Sequence, residues 1–224
     1  MSEKGDDKGK KGNTSQGLSG EMSVETGGIV VTKGSARPAD RLEVGRLVYG
    51  AYVPVARALG MEEAAAVSVL ARALDLEQCL LAWRGASVVG FQGLVERNAR
   101  PFRFRYGLIR ERCAFLRSVA YFLLLSSRSW RIFRPGEMMF ENLIVAPEAR
   151  RLGIADRLIA GAEDYAREKG YSSVSIEVVN TNHVALKIFE RRSYTIVHSR
   201  RTGILTRKAG FTGNHFMRKR IGAP

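Results

Sequence analysis

Apolar residues recur along the chain with two periods, and the points where one period gives way to the other mark its elements. The β-branched run in GIVVTKG (28–34) predicts a short strand, and apolar positions three and four apart over 36–60 and 61–75 predict two helices. Two apolar runs around Arg84-Gly85-Ala86-Ser87 predict a β-hairpin. EMMFENLIVAP (137–147) is apolar almost throughout, as a central strand covered on both faces would be. Leu152, Ala155, Leu158, Ile159, Ala162 and Ala166 then form one stripe of a helix that Gly170 stops. Val174, Ile176 and Val178 alternate with Ser173, Ser175 and Glu177, the pattern of a strand with one covered face. A helix over 182–192 and two strands, YTIVHSRRTGI and FTGNHFMRKRI, complete the chain.

Composition changes this picture little, since 45% hydrophobic and 26% charged residues among 224 suffice for a buried core. Charge changes it more. The net charge is +14, and because residues 1–28 hold four lysines against five carboxylates, the remainder carries +15. Such a surface attracts nucleic acid, acidic lipid or a polyphosphate alike. Residues 1–28 contain no apolar h-region and read as a disordered tail before a single domain over 29–224. Within that domain, residues 98–134 form a basic, aromatic insert, helical in its second half. Its longest apolar run is interrupted by Arg117 and is too short to span a bilayer. Cys79 and Cys113 lack metal-ligand spacing, which predicts reduced thiols, no metal site and a cytoplasmic protein.

Candidate chemistry begins at VAPEARRLGIADRL (145–158), where Pro147 follows an apolar strand and Arg150, Arg151 and Gly153 precede a helix. The first amides of a helix lack partners and carry partial positive charge, so this turn predicts an anion site. Arg-x-x-Gly-x-Ala at this turn, together with NTNHVALKIFERRSY at the next strand-to-helix junction, resembles the signatures of the GNAT superfamily of N-acetyltransferases. Those signatures are Gln/Arg-x-x-Gly-x-Gly/Ala and Asn-x-x-Ala-x-x-x-Tyr-x-x-x-Gly-Phe. The second is met at Asn182 and Ala185, and Phe189, Ser193 and Tyr194 stand where it has Tyr, Gly and Phe.

The resemblance implies an α/β (α+β) fold with a central mixed, mostly antiparallel sheet, splayed between its fourth and fifth strands, and helices on both faces. It implies acetyl-CoA as acyl donor and a primary amine of a small molecule or protein as acceptor. Backbone groups of Leu143, Ile144 and Val145 would then pair with the pantetheine arm. Arg150 and the amides of Arg151, Leu152, Gly153, Ile154, Ala155 and Asp156 would hold the pyrophosphate. Asn182 would bond the pantetheine. Phe189 would stand on the cofactor side, where many members carry a tyrosine that protonates the leaving thiolate.

Transfer to an amine needs a base, because only the neutral amine attacks. Glu141, set in an otherwise apolar strand, and Glu177, five residues before Asn182, both occupy positions where members of the family carry a glutamate base. His183 is a third, less favoured base, and His198 and His215 read as strand residues. Aromatic residues including Tyr52, Phe102, Phe104 and Tyr106, interleaved with Arg100, Arg103, Arg105 and Arg110, fit an acceptor pocket or packing against the core or a second subunit, which leaves a homodimer open. Two other classes stand beside the transferase. One is an acyl-CoA binder without turnover, favoured by Phe189. The other is a nucleic-acid or anionic-membrane binder, which has the charge but no groove-reading motif; the transferase requires no nucleic acid.

Overall fold

A computed structural model describes residues 24–26, 28–34, 38–58, 61–111, 134–201 and 212–222, and joins eight strands into one sheet. In chain order these are β1 (Val24–Thr26), β2 (Ile29–Lys33), β3 (Cys79–Arg84), β4 (Ser87–Val95), β5 (Glu137–Val145), β6 (Ser173–Val179), β7 (Thr195–Arg201) and β8 (Gly213–Arg220). The helices are α1 (Pro38–Ala58), α2 (Glu63–Ala73), α3 (Tyr106–Arg110), α4 (Ile154–Glu168) and α5 (His183–Arg191). Across the sheet the order is β1-β2-β3-β4-β5-β6-β8-β7, antiparallel at each step except β5–β6. The splayed fourth and fifth strands of the sequence-based expectation are β5 and β6.

Helices cover both faces. On one, Val44 and Val48 of α1 pack with Leu81, Trp83, Phe91 and Ile144. On the other, Ile154, Leu158, Ile159 and Ala162 of α4 pack with Leu80, Ala82, Val89 and Phe140. Gly90 is what lets α4 lie so close: a Cβ there would stand 2.8 Å from Ile154 Cγ2 and 3.0 Å from Leu158 Cδ1. β3 and β4 are buried on both faces, which is why their sequence, Gln92 apart, is apolar almost throughout instead of alternating.

Three points depart from the sequence-based expectation, and a fourth expectation falls outside the described residues. β1 lies inside residues 1–28 and pairs with β2, Val24 opposite Val31. Ser175 is 4% exposed, so β6 is covered on both faces there. Leu152 precedes α4 and is 46% exposed, outside the helical stripe. Of the basic insert, α3 is described, and the segment 112–133 expected to be helical lies outside the described residues, as does most of the tail.

Two local arrangements join the elements around the sheet's centre. Glu163 of α4, 3% exposed, accepts from Lys219 of β8 (2.8 Å), from Arg192 beyond α5 (3.3 Å) and from the Tyr194 hydroxyl (3.1 Å). A buried carboxylate is tolerable only when satisfied in this way. The end of α5 is a Schellman turn: the Ser193 amide donates to Glu190 O (2.9 Å), the Tyr194 amide to Phe189 O (3.0 Å), and the Phe189 and Tyr194 rings meet edge-on at 5.1 Å. Ser193 sits in the left-handed region (φ 67°) that this turn demands, where glycine is the usual residue. Ser193→Gly is therefore expected to stabilise the fold by about 0.5–1 kcal/mol and to raise Tm by about 1–4 °C in a thermal melt.

Candidate active site

The parallel ladder between β5 and β6 is short. Pairing runs from Glu137↔Ser173 to Phe140↔Ile176 and stops, although β5 continues to Val145 and β6 to Val179. Beyond that point β5 stays registered with β4 (Ile144↔Phe91, Val145↔Gly90) and β6 with β8 (Val179↔Asn214), so the two strands part into a fork. Among the described residues no strand pairs with the inner edge of β5 past Phe140. Unpaired backbone groups of that kind suit an extended, amide-bearing ligand.

Glu141 and Glu177 are the first residues past the last pair on their strands, and by the same register they lie on one face, that of Met139 and Ser175. Both are half-buried. Asn214 donates its side-chain amide to Glu177 Oε1, and Glu137, further down the same face, is paired with Arg218 (2.9 Å).

A bulge in β5 coincides with the fork. Asn142 and Leu143 stand opposite the single residue Gln92, between the pairs Gly93↔Glu141 and Phe91↔Ile144, and Asn142 has φ 58°. The extra residue inverts the alternation: Met138 and Phe140 lie in the α4-side core before it, and Leu143 and Val145 pack on that side after it, leaving Ile144 to the α1 side. Tyr52 of α1 donates its hydroxyl to Asn142 Oδ1 (2.5 Å). Neither the bulge nor this bond is evident from hydrophobicity; the one signal was an asparagine, the non-glycine residue most at home in the left-handed region, inside an apolar strand.

The turn after β5 runs through a single 3₁₀ turn, Pro147–Ala149, to Gly153, the α4 N-cap with φ 72°. Arg151 is also left-handed (φ 64°). Arg150, Arg151, Leu152 and Gly153 are exposed, while Ala149 and Ile154 anchor the turn in the core. A Cβ on Gly153 would meet nothing within 4 Å, so the glycine is required by its φ, and open space lies above it. The Arg157 amide is bonded to Gly153 O (3.1 Å), leaving the amides of Ile154, Ala155 and Asp156 before it as the unpaired first turn of α4. Asp156 is paired with Arg192 at 3.6 Å.

Asn182 caps α5, its Oδ1 accepting from the Ala185 amide (3.1 Å). Phe189 is 1% exposed in the core cluster with Tyr194. Tyr194 offers no substitute for the absent tyrosine, since burial first and then the Glu163 charge push its hydroxyl well above the ordinary tyrosine range. His183 is exposed at the start of α5, His198 lies on the exposed edge strand β7, and His215 meets Ser199 Oγ at 2.8 Å. Burial likewise pushes the Cys79 thiol up, away from nucleophilic chemistry. Cys113 lies outside the described residues, and among those described no group of His, Cys, Asp or Glu could hold a metal.

The aromatic residues of the insert divide. Phe102 packs between Phe91 (5.9 Å) and Phe104 (5.8 Å) and belongs to the α1-side core. Arg41, Arg72, Arg103 and Arg105 line a cleft of about 830 Å³ on α1, α2 and α3, shared with Asp75 and Glu77 and containing no residue of the fork. No helix of the described residues is long and apolar enough to cross a membrane.

The profile of the acetyltransferase (GNAT) family matches residues 61–194, which takes in the fork, the turn and α5. No curated protein matches the chain at a significant level. Among solved structures, the chain is similar to Ard1 from Thermoplasma volcanium, with 16% identity, TM-score 0.54 and coverage of 86% of this chain and 97% of that one. It is also similar to a GNAT-family protein from Desulfovibrio desulfuricans (13%, TM-score 0.55, 87% and 99%) and to an N-acetyltransferase from Staphylococcus aureus Mu50 (12%, TM-score 0.51, 86% and 98%). At these identities the likeness is one of fold.

Proposed function

Since the chain belongs to the GNAT acetyltransferase family, we propose that it transfers the acetyl group of acetyl-CoA to a primary amine of a small molecule or a protein. The observation that carries this reading is the fork, where β5–β6 pairing stops at Phe140↔Ile176 directly before the Gly153 turn. One bound group, acetyl-CoA, supplies an acyl carbon on a thiol leaving group. The inner edge of Leu143, Ile144 and Val145 pairs with its extended arm, and Asn182 adds its carboxamide nitrogen to the same arm. Arg150 and the amides from Arg151 through Leu152, Gly153, Ile154 and Ala155 to Asp156 hold the pyrophosphate, favoured by the helix dipole and the exposed arginines.

Glu141 and Glu177 face the acceptor side together, where two carboxylates draw a cationic amine to the fork and one of them takes its proton. Phe189 and Tyr194 give no proton to the departing sulfur. A thiol of pKa about 8.5 leaves as an anion near neutrality without that help. Phe189 also favours a second reading, an acyl-CoA binder without turnover, which release of free thiol excludes.

Calorimetric titration of acetyl-CoA is expected to show saturable binding to the wild type and none to Gly153→Glu, which sets a carboxylate against the pyrophosphate. Gly153→Ala carries the same backbone strain without the charge and retains binding; equal affinity in all three proteins would contradict the turn's role. For the base, thiol release is followed with a panel of primary amines. Glu141→Gln or Glu177→Gln, whichever removes the base, is expected to lower kcat by about 10²–10⁴ while acetyl-CoA affinity holds. Wild-type rates in both variants would take the carboxylates out of the mechanism.

A further inference from the structure

The bulge at Asn142 is held from both faces of the sheet, at the step where β5 and β6 part. From the α1 side, Tyr52 is anchored in the cluster of Val44, Val48, Phe91 and Ile144, and its hydroxyl reaches Asn142 Oδ1 at 2.5 Å. From the sheet itself, Gln92 is fully buried and shares a strand face with Leu94, toward α4. Its Nε2 donates to Glu141 O (3.1 Å) and to Gly93 O (3.2 Å), spanning with a side chain the break that the bulge makes in the β4–β5 ladder. Gln92 Oε1 is buried with no hydrogen-bond partner among the described residues. A core position that bears an incompletely satisfied amide where an aliphatic side chain would fit has a reason other than packing.

We propose that Tyr52 and Gln92 are positioning residues that fix the bulge and thereby set the opening of the fork for the acyl-pantetheine arm, an inference that rests on the transferase reading above. Tyr52 holds the Asn142 side chain, and with it a backbone conformation that a non-glycine residue seldom adopts. Gln92 fixes the carbonyl on the preceding residue, Glu141, so the extra residue and the one before it are both tied. The strand past the bulge is then aimed away from β6, and the inner edge of 143–145 is presented to a ligand and not to a neighbouring strand.

The test compares two probes by calorimetry: acetyl-CoA, and adenosine 3′,5′-bisphosphate, which has the nucleotide end without the pantetheine arm. Tyr52→Phe and Asn142→Ala, each of which deletes the hydrogen bond and leaves a non-glycine residue in the left-handed region, are each expected to weaken acetyl-CoA about tenfold and to leave the bisphosphate within twofold of the wild type. The double variant binds no more weakly than either single one, because both substitutions delete the same hydrogen bond. Gln92→Met, of similar length and without the amide, shows the same selective loss. Unchanged acetyl-CoA affinity, an equal loss for both probes, or effects that multiply in the double variant would overturn the clamp. A wild type that binds neither probe would instead overturn the transferase reading, and with it this role.

Discussion

β6 is shared unequally between its neighbours, and the rest of the molecule is arranged around that inequality. It pairs with β8 along all seven of its residues and with β5 along four. A strand so placed is drawn with β8 and not with β5 once the parallel ladder stops, and a gap opens in the middle of an otherwise continuous sheet. Gaps of this kind expose backbone groups whose hydrogen bonds must go somewhere. On the β4 side β5 stays paired across the bulge at Asn142, and on the β6 side no strand of the described residues pairs with its edge past Phe140.

The walls of the gap are kept in place from the α4 face. Glu163 collects a lysine from β8, an arginine beyond α5 and the Tyr194 hydroxyl, so that one buried carboxylate ties the helix that follows β5 to the elements that flank β6. Asn180 closes the far end of β6, its carboxamide oxygen accepting from the Gly213 amide (3.1 Å) and its nitrogen donating to Thr212 Oγ1 (2.9 Å). Both ends of α5 are tied down, by the Asn182 cap and by the Schellman turn at Ser193. The fork thus opens between well-connected halves, and the exposed turn at Gly153 follows the β5 arm of it.

Much of this was legible in the sequence, because periodicity is set by burial and burial by the layers. The strands around Gly85, the apolar β5, the stripe of α4 and the helix that begins at Asn182 all follow from residue spacing. The bulge was not legible: an extra residue in a strand buried on both faces leaves the run just as apolar, and Asn142 alone betrays it. The place of β8 between β6 and β7 was hidden too, since sequence order gives the strands and not their neighbours. Leu152 looked helical by spacing, yet the left-handed residues Arg151 and Gly153 on either side hold it in the turn. Phe189 matches a family position associated with acid catalysis, but its apolar ring serves the contact that closes α5 against Tyr194.

A fork and a turn that together receive one extended, anionic-tailed ligand would be read directly by hydrogen exchange of the backbone amides. Adding acetyl-CoA to the wild-type protein is predicted to slow exchange in 143–145 and 151–156 together while β3, already buried on both faces, is unchanged. Protection confined to the arginine cleft of Arg41, Arg72 and Arg105, or no protection at all, would contradict the account.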